Sequence, residues 1–530
     1  MSSQNTPQNR TPLNPTRRGF GAVALGTLAA AGTASMLGAP GALAAPAPVG
    51  AAPAAPTEDG PQPTPHTQQA HDPIASDFHA RWTRADARQI MRTQNDTSVA
   101  TGENSMPDSV TMPEIPEDFA IMTDEVWVWD TWSLTDERSN QMSYKGWDVI
   151  FSLVADRSIP FDERHWHARI GYFTRPSTAE PDDAWTYGGH LFEDDTSLSN
   201  TEWSGSTRLL QGNMVRVFYT ATTFGEKREG TDGKPAVIAT VEGQIKATKD
   251  GVSFQHFGEH LEIFEPDGTW YQTKEQNSAF SFRDPFTFED PAHPGITFML
   301  FEGCGAGVPG SPETDATAED LGYVDGDPFA EDLAEINGKG IQWQRGNIGL
   351  GYADSKDLTS WTMLPPILTA YGVNDQTERP QMIIQDGKYF LFTISHQFTY
   401  AADLRGPDGV YGFVGDGVRS DFQPLNSSGL VLGSPTDLNL PKDAPEKPSE
   451  GQNPRQFQAY SHYIQPGGLV QSFIDNVAGR RGGTLSPTVK VDLDGATATS
   501  TVDYSFGDDG LGPYAYLPTN KRKGGVGHYK

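Results

Sequence analysis

From Val126 onward the chain alternates short apolar runs with clusters of Gly, Asp, Asn and Pro. The runs Trp147 to Val154, Trp166 to Phe173, Met214 to Thr222, Thr297 to Glu302, Lys388 to Ser395 and Gln458 to Ile464 read as β-strands, because β-branched and aromatic side chains fit a pleated, half-buried surface. Met382 to Phe390 is the clearest hairpin: Asp386-Gly387 at its centre supplies the two positive φ angles of a type I′ turn. So many strands without alternating helices predict an all-β fold, as a sandwich, barrel or propeller. No strict internal repeat chooses among the three.

Three stretches break this pattern. Thr83 to Met91 predicts a short helix with Thr83 as its N-cap, and ordered chain is expected from just before it. Pro312 to Gly338 is acidic and reads as a solvated insertion with a short helix, Ala330 to Ile336, ended by Gly338. Its acids Asp325, Asp327, Glu331 and Asp332 lack the spacing of an EF-hand loop. At the N-terminus, Arg17-Arg18-Gly19-Phe20 precedes an uncharged Ala/Gly/Leu-rich run and the small-residue site Ala42-Leu43-Ala44. This predicts a twin-arginine-type export signal over 1–44 and a secreted, extracellular protein, with no stable membrane insertion because Gly and Pro interrupt the run. An Ala/Pro-rich linker is expected over 45–75 and one catalytic domain over 76–530.

Composition narrows the function. The 530 residues are 36% hydrophobic and 10% aromatic, with 56 Gly and 40 Pro, which suits a large core with many turns. A formal charge of -30 disfavours nucleic acid and anionic membranes. Removing 1–44 takes away three arginines and no acids, moving the charge to -33. The single cysteine, Cys304, excludes an intrachain disulfide and any multi-cysteine metal site. Lys521-Arg522-Lys523 reads as a solvated tail.

The candidate chemistry lies in three carboxylates. Asp130 sits among Trp127, Trp129 and Trp132; Asp284 lies in Phe282-Arg283-Asp284-Pro285-Phe286; Glu378 lies in Thr377-Glu378-Arg379-Pro380. An ionised carboxylate among indoles is costly to desolvate, so such a residue usually has a function. Glycosyl transfer needs one carboxylate at the anomeric carbon, a second to protonate the leaving oxygen, and flat apolar walls for the sugar. Each signal also has a structural alternative, with Asp130 capping a turn, Asp284 paired to Arg283 and Glu378 paired to Arg379.

Trp129-Asp130, Glu202-Trp203-Ser204-Gly205-Ser206, Arg283-Asp284-Pro285, Asp375-Gln376-Thr377-Glu378-Arg379-Pro380 and Tyr460-Ser461-His462 together resemble the levansucrase/inulosucrase family, glycoside hydrolase family 68. The likeness keeps the family's motif order from about Trp82 to Val489, nearest to its Gram-negative branch. It implies a five-bladed β-propeller with a central funnel-shaped pocket, acting on sucrose and on fructan or other sugar acceptors. By the same resemblance Asp130 is the nucleophile, Glu378 the general acid/base and Asp284 the transition-state stabiliser. Trp129, Trp203, Ser204, Arg283, Gln376, Arg379, His396 and Tyr460 match substrate-binding or supporting positions. For Trp129 and Trp203 the alternative is core packing, and for Tyr460 an ordinary strand tyrosine. A retaining double displacement implies nucleophile and acid/base about 5 Å apart, with Glu378 protonated at the start.

Two departures mark the branch. Gln376 stands where many Gram-positive members have Glu, and His396, within Thr393-Ile394-Ser395-His396-Gln397, stands where they have Arg. Ser278 replaces the Asp of calcium-binding members, so no metal and no cofactor are expected. An invertase and a catalytically silent carbohydrate-binding propeller remain as alternatives, and the sequence fixes neither the linkage formed nor the oligomeric state.

Overall fold

The computed structural model describes residues 61–512 except 95–99, 102–103, 180–184, 195, 224–235, 437–456 and 508–509. The export signal, residues 45–60 of the Ala/Pro-rich stretch and the Lys521-Arg522-Lys523 tail lie outside the described residues.

Antiparallel strands group into five blades. Blade I comprises Val126–Thr135, Trp147–Asp156, Arg169–Pro176 and Thr186–His190, and blade II comprises Thr201–Leu209, Met214–Thr222, Val237–Ala247 and Val252–Gln255. Blade III runs through Phe282–Glu289, Thr297–Cys304, Gly346–Ala353 and Thr362–Thr369. Blade IV has Glu378–Gln385, Lys388–Ser395 and Gly409–Gly415, with Gln423–Pro424 and Leu430–Gly433 sharing its outer edge. In blade V, Ala459–Ile464 pairs with Leu469–Val477, and further strands continue to Thr499–Val502. The first strand of each blade touches the first strands of both neighbouring blades. Blades I and II also pair directly, in parallel, at Leu134 with Thr207 and Thr135 with Arg208. The ring therefore closes, and the fold is a five-bladed β-propeller.

Stacking blade on blade buries both faces of the middle strands. Thr297–Cys304 and Leu469–Val477 are buried at every position, which is why the first of them reads as an apolar run without polar alternation. Asp386 (φ 53°) and Gly387 (φ 75°) form the expected hairpin turn. Cys304 is buried and free. One expected strand is shortened: Trp166 lies in the 3₁₀ helix Phe161–His167, and the strand begins at Arg169.

The N-terminal segment straps the outside of the ring. Ala80–Arg81 adds in parallel to the outer strand of blade III, and Ala70–His71 pairs with Arg419–Ser420. The His66 ring lies between Asp86 and Asp421, at 3.2 and 3.3 Å. Residues 66–71 are therefore tied to the propeller by hydrogen bonds although several are exposed, and the structured chain starts earlier than the Ala/Pro composition predicts. The helix Arg84–Gln94 is capped reciprocally: Thr83 Oγ1 accepts the Asp86 N–H, and Asp86 Oδ2 accepts the Thr83 N–H.

The acidic insertion differs from its expected form. Its helix is Leu333–Asn337, capped by Asp332, and Gly338 (φ -63°) ends it without a left-handed turn. Glu331 is not solvated; it accepts hydrogen bonds from Arg84, Arg88 and Tyr323 and ties the insertion to the N-terminal helix. Sequence spacing could not show this, because Arg84 and Arg88 lie more than 240 positions upstream.

Candidate active site

The first strand of every blade carries a β-bulge. Register shifts fall between Trp129 and Trp132, Trp203 and Gly205, Arg283 and Phe286, Glu378 and Gln381, and Tyr460 and Tyr463. Four of the bulges place a non-glycine residue at positive φ: Asp130 (46°), Asp284 (63°), Arg379 (45°) and Ser461 (58°). Each costs about 1–2 kcal/mol relative to extended backbone. The fivefold repeat that residue identities conceal is thus a repeat of backbone geometry, and the motifs around Trp129, Trp203, Arg283, Glu378 and Tyr460 sit on it. A bulge re-aims the side chains of a strand. Here it brings neighbours that a regular strand would point apart to the same place, with Arg283 Nε 3.8 Å from Asp284 Oδ2.

Three blades deliver the carboxylates and two more hold them. Asp130 Oδ2 accepts a hydrogen bond from Ser204 Oγ of blade II at 2.7 Å. Asp284 Oδ2 accepts the Arg379 N–H at 3.1 Å, and its own N–H donates to Thr220 Oγ1 at 2.9 Å. Glu378 Oε1 accepts from Arg283 Nη2 at 2.6 Å, and Glu378 Oε2 accepts from the Tyr460 hydroxyl. Arg283 also donates to Glu302, fully buried on the next strand of its own blade. One guanidinium therefore joins Asp284, Glu302 and Glu378.

The charges in this cluster oppose one another. Burial works against the Arg283 cation, but the carboxylates of Glu302, Glu378 and Asp284 hold it well above its ordinary value. Burial pushes the Asp284 carboxyl up to about 7; Arg283 opposes the rise, while Glu378 and Asp130 add to it. The pull of Arg283 toward an ionised Asp284 is outweighed by desolvation and by the two neighbouring acids. Burial also pushes the Tyr460 hydroxyl well above its ordinary range, with Glu378 adding to the effect, so it acts as a donor.

The walls are aromatic. His165 lies 5.4 Å from Trp129 and 5.8 Å from Trp203, ring centre to ring centre, and its carbonyl accepts from Trp203 Nε1. Burial, then the cations Arg164 and Arg283, push His165 well below its ordinary value, so it is neutral. Arg164 stacks on Phe161 at 3.7 Å and under Trp129 at 5.3 Å. Trp129 Nε1 and His165 Nε2 are buried and have no hydrogen-bond partner among the described residues. Trp129 is 1% exposed while Trp203 is half-buried, so Trp203 offers the more open face. Trp132 is core, and Trp127 packs on Phe161 at the periphery.

The remaining candidates separate into two groups. His396 stacks on Tyr460 at 3.5 Å and so adjoins the Glu378 carboxyl, while Gln376 is buried behind it, its carbonyl accepting from Ser395 Oγ. Arg379 differs from the expected substrate contact. Its guanidinium donates to Ser461 Oγ and O in blade V and to Thr131 O in blade I, clamping three inner strands. Only its backbone N–H meets Asp284, because the positive φ turns the side chain toward the neighbouring blades.

Sequence reasoning missed Arg164, His165, Glu302 and Asp408. Glu302 carried a signal, an acid at the end of the apolar run Thr297 to Phe301, which a buried strand accepts only with a cationic partner. Arg164 and His165 come from a connecting 3₁₀ helix, and Asp408 from a Gly-Pro turn, where charged residues are ordinary. Among the described residues no group of three or more His, Cys, Asp or Glu is arranged to hold a metal ion. No helix of the described residues is long and apolar enough to cross a membrane.

Comparison with known proteins bears on this arrangement. The profile of glycoside hydrolase family 68, described as Levansucrase/Invertase, matches residues 72–510. The levansucrase of Gluconacetobacter diazotrophicus is 51% identical over 482 residues, covering 87% of this chain and 82% of that protein. The extracellular sucrase of Zymomonas mobilis is 41% identical over 438 residues, covering 81% and 94%. The solved full-length β-fructofuranosidase from Microbacterium saccharophilum K-1 superposes with a TM-score of 0.82 at 51% identity, covering 87% and 90%. With five bulged inner strands, three acids from three blades and this likeness over most of its length, the chain belongs to glycoside hydrolase family 68, the levansucrase/invertase family.

Proposed function

We propose that this protein is a levansucrase, a retaining fructosyltransferase that cleaves sucrose and passes the fructosyl unit to a growing fructan, another sugar or water. The observation that carries the reading is that Asp284 and Glu378 share the Arg283 guanidinium while Asp130, hydrogen-bonded to Ser204, lies close enough to Asp284 to raise its proton affinity. In the first step the Asp130 carboxylate attacks C2 of the fructosyl unit while the C2–O bond to glucose breaks. The departing oxygen takes the proton of Glu378. In the second step the Glu378 carboxylate removes the proton of an acceptor hydroxyl, whose oxygen attacks C2 and releases Asp130. Ser204 orients the nucleophile, Arg283 and Tyr460 orient the acid/base, and Asp284 binds fructosyl hydroxyls next to the developing positive charge. Trp129, Trp203, His165 and His396 line the sugar sites, and Gln376 supports them from behind.

A predominantly hydrolytic enzyme is the second reading, favoured by the likeness to a β-fructofuranosidase at 51% identity. Chromatography after incubation with sucrose separates the two. Glucose in excess over free fructose means transfer, and equal amounts at high sucrose mean an invertase. Asp130→Ala and Glu378→Gln each lower turnover by about 10²–10⁴-fold or more. If the wild-type protein leaves sucrose intact, it is a carbohydrate-binding propeller instead. We also propose export through the twin-arginine signal with cleavage near Ala44, in keeping with the relative named an extracellular sucrase. Intact-mass measurement of the secreted protein tests the cleavage.

A further inference from the structure

We infer that the connection 305–345 of blade III is a docking surface for the fructan chain beside the mouth of the pocket, with Trp343 as its stacking platform. The inference rests on the reading of the site given above, which supplies the polymer. Among the described residues six large apolar side chains are exposed, and five of them, Val308, Val324, Phe329, Leu333 and Trp343, belong to this one connection. Single exposed apolar residues are ordinary on a protein surface, whereas their concentration in one segment marks a surface that meets a partner.

The blade places this surface at its catalytic end. Arg283 pairs in register with Glu302 on the second strand, and Glu302 with Ile348 on the third. The connection starts three residues beyond Glu302 and ends three before Ile348, at the end of the blade where Arg283 meets Glu378. Thr377, next to Glu378, donates through Oγ1 to the Asn347 carbonyl at 2.7 Å. Trp343 is four positions before Asn347, at most about 14 Å along the chain. It therefore lies within reach of a polymer whose end is held at Glu378.

The platform is fixed from both sides. On one side Ile341 is buried, and Gln342 Nε2 donates to Asp315 Oδ1 at 2.8 Å and to the Asn337 carbonyl at 2.9 Å. On the other, the Gln344 carbonyl accepts the Gly372 N–H at 2.8 Å. Arg345 donates to the carbonyls of Gly305, Ala306 and Thr314 and stacks over Tyr371 at 4.2 Å. Between these anchors Trp343 is 44% exposed. A ligand landing on it has no backbone to order, which lowers the cost of binding.

Charge selects the occupant. The connection carries nine acids against two bases, so a second copy of the same surface, an anionic lipid or a nucleic acid is repelled. A neutral polyhydroxylated chain is not. Its apolar C–H face lies on the flat indole, and its hydroxyls donate to the carboxylates and amide oxygens nearby.

The test is affinity electrophoresis of the full chain in native gels cast with levan, a β-2,6-fructan, or with dextran as an uncharged control. The Glu378→Gln variant serves as the background, so that the polymer is not consumed. Levan but not dextran is expected to retard it. Trp343→Ala in that background weakens binding about two- to tenfold, while Trp343→Phe, which keeps an aromatic face, retains most of it. In the otherwise unchanged enzyme, the products of Trp343→Ala, compared at equal glucose release by size-exclusion chromatography, are expected to be shorter. The inference is overturned if Trp343→Ala leaves the retardation by levan unchanged, if dextran retards equally, or if Trp343→Phe behaves as Trp343→Ala. A sedimentation coefficient that falls on Trp343→Ala at fixed protein concentration would assign the face to contact between copies, and overturn it likewise. If the wild type forms no polymer while levan binding still depends on Trp343, the docking surface stands and the reading of the pocket as a fructosyltransferase site fails.

Discussion

Asp284→Asn makes the sharpest quantitative test, because it sets the proposed catalysis against stability. Burial is the main reason the Asp284 carboxyl is raised from 3.8 to about 7, and Arg283 compensates only in part. Between those values the native state keeps a proton that the unfolded chain has lost, so stability falls as pH rises through the window and levels off above 7. Three pKa units at 1.36 kcal/mol each give a cost of about 4 kcal/mol for carrying this carboxylate ionised. Asparagine does not ionise, and its side-chain oxygen still accepts the Arg379 N–H that Asp284 Oδ2 accepts now. The variant is therefore expected to match the wild type near pH 4 and to exceed it by up to about 4 kcal/mol above pH 7, while sucrose turnover collapses. Scanning calorimetry of both proteins at one scan rate across pH, beside a turnover assay, measures this. A stability difference that does not grow with pH, or a variant less stable than the wild type at pH 8, would refute the electrostatic account of the pocket.

Two further predictions concern the frame. Burial alone would raise Glu331, but Arg84 and Arg88 hold its carboxyl down at about 2, so its stabilisation is present above the ordinary carboxylate range and lost as pH falls through 2. Glu331→Gln is expected to cost about 3 kcal/mol at pH 7, read as a lower Tm whose deficit shrinks in acid, with sucrose turnover at room temperature unchanged. Gly205 follows Ser204 at the blade II bulge, and a Cβ there would lie 1.8 Å from the Phe218 carbonyl oxygen. Gly205→Ala should separate the first two strands of that blade, shift the Ser204 donor from Asp130, and lower both soluble yield and kcat; wild-type kinetics and Tm would contradict this.

Much of this protein was legible before any coordinates. Apolar runs and turn residues fixed the all-β class, Asp386-Gly387 fixed its hairpin, and Thr83 announced the helix start, because each depends on neighbours in the chain. Ordered motifs around Asp130, Asp284 and Glu378 picked out the three acids that the fold brings together. What the chain alone could not reveal depends on residues far apart. The five blades share bulge geometry rather than residue identities, so no repeat is visible in the letters. Arg379 reads as a partner of Glu378 but clamps blades I and V, because a single positive φ reverses the direction of its side chain. The linker-like stretch before Ala80 is held by His66 between two distant acids, and the proton affinity of Asp284 is set by burial that only the closed ring creates. Local propensity belongs to the sequence; desolvation, and the long-range pairing that answers it, exists only once the propeller has closed.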